Sequence, residues 1–449
     1  MVEKRYSVVS IFSGCGGLDL GFKQKGFDLV YACDIDPKAV DCYSRNIERY
    51  IFCRDVRRAE FHADIAAIGS CDLVLGGFPC QGFSKAGPKN VKDPRNLLYR
   101  EMYQAIARLC PHLFIAENVD GISQNFAGAY IELIVKEFEQ IGYDVEYRIL
   151  DAAAFGLPQH RRRIFFVGVR QPSNYKFQWP EATHAVKTRN GEFKISSTSI
   201  EQLPLFQWAS KNGISLPIRT IKDAIADLVE LDDCIPDHQV TNAWSQKYEV
   251  IFKAIEPGQK LCNVRHAATS VYTWEIPEFF GLVTQRERTI LETISKYRRH
   301  KKYGNIPNGN PLPIEEIERL SGLNKIQTEI ASLILKEYLK EKKGKYDLKG
   351  AMFCSGLFKR PSWDEPAPTV LTNFHNPRYF LHPLKDRPFS LRECARLQGF
   401  PDEFLFTGSE SQVDLVSGYR LVGNAVPPPL SEMFAAAANN FLFKKYQVA

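Results

Sequence analysis

Ser7-Val8-Val9-Ser10-Ile11-Phe12-Ser13-Gly14-Cys15-Gly16-Gly17-Leu18 reads as an apolar strand that breaks into a glycine turn and restarts as a helix. Glycines at such a junction let backbone N–H groups and a helix N-terminus face a ligand, although a plain tight turn has the same sequence. Working outward, strand-like runs at residues 29–33, 73–75, 112–116 and 164–169 alternate with helical stretches at 96–109 and 129–141. That alternation predicts parallel βαβ units and hence an α/β, Rossmann-like domain with a mainly parallel sheet.

Composition sets the class around that domain. At 449 residues, 44% hydrophobic and 24% charged, the chain is long enough for two or three domains with real cores. Met1-Val2-Glu3-Lys4-Arg5-Tyr6 runs straight into the first strand, and no apolar run is long enough to cross a bilayer, so a cytoplasmic protein without a leader is expected. The 11 cysteines include no Cys-x-x-Cys pair, which predicts neither a zinc site nor a disulfide framework; no metal is expected. A net charge of +6 is compatible with a polyanionic partner without requiring one. Two basic clusters, Lys296 to Lys302 and Lys336 to Lys345, have a solvated helix face as their plain reading.

The second strand ends at Asp34, twenty residues past Gly14, the distance at which an acid takes ribose hydroxyls in a βαβ unit. A dinucleotide fingerprint would need glycine at position 19, where the chain has Asp19. A carboxylate beside the helix start would repel a diphosphate but not an adenosine bearing a zwitterionic amino acid, so S-adenosylmethionine fits better than NAD. After the apolar run Leu73-Val74-Leu75 comes Gly76-Gly77-Phe78-Pro79-Cys80-Gln81, a thiol on a Gly/Pro turn at a strand's carboxyl end. Most cysteines are small buried hydrophobes. Here the glycines permit close approach of a ligand and Pro79 removes a donor.

Six segments in order, Phe12 to Gly17, Gly77 to Gln81, Glu117-Asn118-Val119, Gln159 to Arg163, Arg392 to Pro401 and Gly423 to Pro427, resemble the motifs of the cytosine-C5 DNA methyltransferases of bacterial type. The resemblance covers about residues 7–170 and 361–440. It implies S-adenosylmethionine as cofactor and double-stranded DNA as partner, with a cognate restriction endonuclease as a further partner of such modification enzymes. By position, it places Phe12, Ser13, Gly14, Cys15, Gly16, Gly17, Asp34, Ile35, Asp55, Val56, Phe78, Asn424, Ala425 and Val426 on the cofactor side. Asp34 would take the ribose, Asp55 the adenine amine and Phe12 the ring. Many relatives carry a glutamate followed by a bulky aromatic where this chain has Asp34-Ile35.

Cytosine C5 is too poor a nucleophile for a sulfonium methyl until electrons are pushed into the ring. A thiolate adding at C6 does this, and Cys80 is the candidate. Charge then reaches N3, for which Glu117 is the candidate proton donor, its pKa raised by burial. Its plain alternative is an ion-paired or capping glutamate. The resemblance assigns Arg163, and with it Arg161, to the cytosine O2 side. Residue type and spacing do not name the base that removes the C5 proton. Since C6 is unreachable inside a duplex, the cytosine must be flipped out.

Residues 1–170, completed by 405–449, are expected to form the catalytic domain, 171–378 a smaller target-recognition lobe, and 379–404 a return segment. Within the lobe, Ile290, Ile294 and Tyr297, then Ile314, Ile317 and Leu320, then Ile326, Ile330, Leu333 and Tyr338 keep helical spacing. A Ser321-Gly322-Leu323-Asn324 turn and a wing near 344–353 make this a candidate winged helix-turn-helix at 285–355; a plain helical insertion is the alternative. Rival functions are a tRNA cytosine methyltransferase, which the long middle region disfavours, and a non-catalytic DNA-binding protein on the same scaffold, which intact Cys80, Glu117 and Arg163 disfavour. Asp19 and the cysteine turn count against an NAD-dependent oxidoreductase.

Overall fold

The computed structural model describes residues 5–79, 98–121, 129–184, 216–240, 244–263, 267–306, 309–349 and 355–447. The chain divides into two compact units, one of Met1–Gln239, Asp364–Thr372 and Ser390–Ala449, the other of Val240–Trp363 and Asn373–Phe389.

The first unit is built on a seven-stranded sheet. Its strands are β1 (Ser7–Ile11), β2 (Asp28–Asp34), β3 (Ile51–Cys53), β4 (Leu73–Gly76), β5 (Leu113–Val119), β6 (Tyr143–Asp151) and β7 (Arg162–Arg170), in the spatial order β3-β2-β1-β4-β5-β7-β6. The first five pair in parallel. β1, β4 and β5 are buried nearly throughout, which is why they read as unbroken apolar runs. Helices α1 (Gly17–Gln24), α2 (Pro37–Asn46), α3 (Ala59–Ile68), α4 (Tyr99–Leu109) and α5 (Ala129–Gln140) link them. α4 shows the reason for its packing: Tyr99, Met102, Ala105, Ile106 and Leu109 fall on one helical face and are all buried.

The connections run outward from β1 to β3 and then return to β4, so the strand order reverses between β1 and β4. Loops leaving the carboxyl ends of two such strands diverge and open a crevice. Ile11 and Gly76 are register partners there, which sets the glycine turn beside the turn that leads to position 80.

The expected parallel pairing of the 164–169 run is corrected: β7 is antiparallel to both β5 and β6. Between β6 and β7 lies only a short turn with the 3-10 segment Ala152–Phe155, too little chain for a crossover helix. β6 was not anticipated, although Tyr143, Val145, Tyr147 and Ile149 alternate with polar neighbours.

Residues 171–239, 364–372 and 390–404 belong to the unit that holds the sheet, so the units divide elsewhere than at 170 and 378. Packing explains this. Phe177 and Trp179, inside the stretch expected to form the target-recognition lobe, are buried against Phe434 of the helix Pro428–Gln447. Arg392 is wholly buried, donating to the carbonyls of Pro236 at 3.0 Å and Phe404 at 3.0 Å and pairing with Asp237.

The second unit contains a module of three helices and a small sheet, the elements expected for the candidate winged helix-turn-helix. Helices Gln285–Tyr297, Ile314–Ser321 and Gln327–Leu335 pack around Ile290, Leu291, Ile294, Ile317, Ile330 and Leu333. Strands Leu312–Pro313, Lys345–Leu348 and Leu339–Lys342 form a three-stranded sheet in that order. The second and third helices are joined through Gly322, whose φ of 71° ends the first of them. The wing turns at Lys343 and Gly344, both at positive φ (53° and 70°), as a two-residue hairpin requires. Arg298, wholly buried, forks onto Asp347 with contacts of 2.8 and 3.0 Å and so ties the first helix to the wing.

Candidate active site

The glycine turn after β1 is held open by backbone geometry. Phe12, a bulky side chain that resists left-handed backbone, sits at φ 60°, and Gly14 and Gly16 follow at 56° and 88°. Asp34, at the end of β2, accepts the Gly14 N–H at 2.9 Å on one oxygen and the Asp36 N–H at 2.9 Å on the other. Burial raises its pKa against the pull of those two donors. Next to it Ile35 is 60% exposed, an apolar face left at the strand's end.

Other cofactor-side candidates divide between surface and core. Asn424 is exposed, ending the helix Leu415–Asn424. Ala425 and Val426 lie against the glycine turn: a Cβ on Gly17 would stand 2.3 Å from the Val426 carbonyl oxygen. Cys15 faces inward, its buried thiol pushed up to about 12 and near the Leu421 carbonyl. Ser13 donates back to Ser10, and Val56 is buried in the sheet's core. Asp55 is gripped by Arg57, with contacts of 2.8 and 2.6 Å that hold its carboxyl down at about 2.

Asp19 does not face a ligand, and the argument that set it against a diphosphate is corrected. Its side chain is fully buried and accepts from the Ser10 hydroxyl at 2.8 Å and the Tyr43 hydroxyl at 2.8 Å. Burial pushes its pKa up to about 6.

Cys80 lies outside the described residues, but the turn leading to it is fixed up to Pro79. Phe78 is buried between Tyr99 and Phe166, and its carbonyl accepts from the Asn118 side chain at 2.9 Å. A Cβ on Gly77 would stand 3.5 Å from a Glu117 carboxylate oxygen. Glu117, on β5 just past the register partner of Gly76, is buried and pairs with Arg163 Nε at 2.9 Å. Burial raises its pKa, while Arg163 and then Arg161 pull the other way. A carboxyl so placed holds a proton more readily than an exposed glutamate and keeps a cation beside it.

Arg161 takes a different part from the one expected. Its guanidinium is fully buried and donates to the carbonyls of Val370 at 3.0 Å, Gly423 at 3.0 Å and Ala425 at 2.7 Å. With both terminal nitrogens so engaged, Arg161 positions the Asn424 turn, and Arg163 alone keeps its guanidinium at Glu117. Two buried amides, quoted in the motifs without a role, extend this network. Gln159 donates to the Leu397 carbonyl at 2.8 Å and to the Gln398 side chain, and accepts from the Val370 N–H at 3.1 Å. Gln398 donates to the carbonyls of Val422 at 2.8 Å and Ala425 at 3.0 Å. Amides inside otherwise apolar motifs were the available signal, since a buried amide needs partners.

The arrangement offers acceptors and an apolar face on one side of the crevice, and a proton-holding carboxyl with a guanidinium on the other. Among the described residues no cluster of His, Cys, Asp and Glu could hold a metal ion, and no helix is long and apolar enough to cross a membrane.

Comparison with known proteins gives the geometry its context. The family model for C-5 cytosine-specific DNA methylase matches residues 6–440. The chain is 28% identical to the Type II methyltransferase M.BanI of Aneurinibacillus aneurinilyticus, over 93% of this chain and 92% of the relative. It is 29% identical to the Type II methyltransferase M.AgeI of Thalassovita gelatinovora, over 95% and 97% respectively. In fold it is similar to the crystal structure of a prophage-encoded DNA modification methyltransferase from E. coli, with a TM-score of 0.52 and 23% identity over 98% of this chain and 99% of that one.

Proposed function

The chain belongs to the C-5 cytosine-specific DNA methylase family, and from that premise we propose that it methylates C5 of a cytosine flipped out of duplex DNA, with Cys80 as the nucleophile. The observation that carries this reading is Glu117, buried with a raised pKa beside Arg163 and the turn that delivers position 80.

S-adenosylmethionine, the methyl donor that the family implies, supplies an electrophilic methyl group when bound. The residues fit it. Asp34 and Asp55 offer acceptors for ribose hydroxyls and an adenine amine, Ile35 an exposed apolar surface for the ring, and the exposed Asn424 a polar group for the amino-acid end. Asp34 keeps lone pairs free beyond its two backbone donors.

The Cys80 thiolate forms a bond to C6, and the ring's electron pair moves toward C5 and N3. Glu117 gives its proton to N3, and Arg163 donates toward O2; both lower the cost of charge in the ring in a site where burial strengthens each contact. Once C5 carries the methyl group, N3 returns its proton to Glu117, and a base, water among the candidates, takes the proton from C5, whose electron pair re-forms the C5–C6 double bond. The Cys80–C6 bond then breaks, and the thiolate leaves. Arg161 acts through the turn it holds rather than on the base. We assign the target-recognition role to the second unit, which holds most of the 171–378 region expected to carry it. The names of the relatives further support a place as the modification enzyme of a Type II restriction-modification system, with an endonuclease reading the same sequence.

Duplex DNA carrying 5-fluorocytosine tests the scheme, because fluorine cannot leave C5 as a proton does and the covalent complex accumulates. A peptide containing Cys80 joined to the base is the expected product, absent in Cys80→Ser. An adduct that persists in Cys80→Ser sinks the assignment. Mapping 5-methylcytosine in a methylation-free host that expresses the chain then gives the sequence context, and resistance of that DNA to an endonuclease reading it tests the system-level role.

A further inference from the structure

The wing of the second unit carries charge that its own unit does not neutralise. Strands Leu339–Lys342 and Lys345–Leu348 place Lys342 and Lys345 in register opposite each other, with Lys343 at the turn between them. Like charges directly opposite on a hairpin are destabilising, so this pairing costs the isolated fold. Lys340, Lys342, Lys343 and Lys345 are all exposed. None of the four forms an ion pair among the described residues, and the acids of the two strands do not offset them. Asp347, the register partner of Lys340, is committed to Arg298, and Glu341 is one charge among four.

Four other acids of the module are paired within it. Glu287 binds Lys336 at 2.8 Å and the Ser332 hydroxyl at 2.6 Å; Glu316 binds Arg319 at 2.7 Å; Glu329 binds Arg286; Glu337 binds Lys349 at 3.0 Å. What remains outward is a basic hairpin next to a helix with a small, mixed face. Along Gln327–Leu335, exposed Gln327, Thr328, Ala331 and Leu335 lie on one side, Leu335 at 86% exposure.

We infer that this winged helix docks duplex DNA, with the helix Gln327–Leu335 in a major groove and the lysine hairpin along the phosphates. Such a helix has the width for that groove, and its amide, hydroxyl and methyl groups are of the types that read base edges there. Phosphates would relieve the Lys342–Lys345 repulsion, and counterion release would supply affinity. The docking gives the enzyme a second DNA contact besides the flipped cytosine, and it rests on the reading of DNA as substrate.

The test uses the full chain and fluorescence anisotropy on a duplex spanning several helical turns, across a salt series. Each lysine that neutralises a phosphate contributes roughly 0.9 to the slope of log affinity against log salt. The variant Lys342→Ala/Lys343→Ala/Lys345→Ala is expected to lower that slope by about 2 to 3 and to weaken low-salt binding at least ~10-fold. Its thermal unfolding stays at or slightly above the wild-type value, because the Lys342–Lys345 repulsion is gone, and its binding of S-adenosylmethionine is unchanged. A second variant, Gln327→Ala/Thr328→Ala, is expected to leave the slope unchanged and to alter the preference among duplex sequences. An unchanged slope in the lysine variant overturns the inference. So does a wing that governs binding of duplex RNA while leaving DNA affinity untouched. Anisotropy requires no turnover and adduct formation on 5-fluorocytosine DNA requires no wing. Failure here with adduct intact therefore removes only the docking, whereas loss of adduct in the wild-type chain removes the catalytic reading.

Discussion

The two units spend their polar side chains in opposite directions. In the sheet unit, Arg161, Gln159, Gln398 and Arg392 are buried and turned onto the chain's own carbonyls, so that segments hundreds of residues apart become one wall of a site. In the three-helix module of the other unit, Glu287, Glu316, Glu329 and Glu337 are paired internally and the lysines of the hairpin face water. One unit uses polarity to fix its own geometry; the other leaves a row of lysines facing outward. A buried guanidinium with three carbonyl partners tolerates little change, whereas an exposed lysine can be exchanged for arginine at small cost.

The widest separation between the units appears in catalysis. Glu117→Gln keeps an acceptor for Arg163 but cannot deliver a proton, and the methylation rate is expected to fall about 10²- to 10⁴-fold with thermal stability retained. In the wild type the protonated form is the donor, so single-turnover rates fall as pH rises through the raised pKa, a trend that the variant should lack. A Glu117→Gln enzyme with a wild-type rate would break the contrast at its strongest point.

Next comes stability inside the network. Arg161→Met strands the carbonyls of Val370, Gly423 and Ala425 and is expected to cost about 3 kcal/mol or more, measured by denaturant unfolding. Binding of S-adenosylmethionine should weaken with it, because the Asn424 turn loses its anchor. A variant that unfolds as before would show that the network is ornamental.

A smaller, pH-resolved effect is expected at Asp19. Its pKa is about 6 in the folded state and near 3.8 unfolded, so the folded chain holds the proton longer. The stability associated with that proton is fully present below the unfolded value and is lost as pH rises from about 4 to about 6, amounting to at most about 3 kcal/mol. Asp19→Asn should flatten the profile in that window.

The sheet unit was legible because its motifs carry residues that chemistry and close packing demand together. The glycine turn, Asp34, Phe78 and Glu117 stand in motifs of the sequence, and their placement at the ends of β1, β2, β4 and β5 follows from strand order. Arg161 was misread because spacing on a strand says which side a residue takes, not which of several acceptors it reaches 209 to 264 residues away. Asp19 was misread for a similar reason: nothing in the sequence announces Tyr43 as its lid. In the other unit, Ile290, Ile317 and Ile330 marked three helices by period, and the turn at Gly322 joined two of them. The cross-strand lysine pair was invisible until the hairpin's register was known.

The smallest expected effect belongs to that hairpin. Lys343 sits at φ 53°, where glycine costs less, so Lys343→Gly is expected to stabilise the unit by about 0.5 to 1 kcal/mol in thermal unfolding. If DNA affinity nonetheless drops, the two units differ as described: here the chain gives up stability for contact.

The Gly17–Val426 approach has a consequence in time as well as space. A ribosome delivers the glycine turn almost at once, yet its facing wall exists only after some four hundred further residues have emerged. A nascent chain thus lacks that wall through nearly all of its synthesis, and a cut between Arg170 and Asn424 removes it while leaving all seven strands of the sheet in the remaining chain.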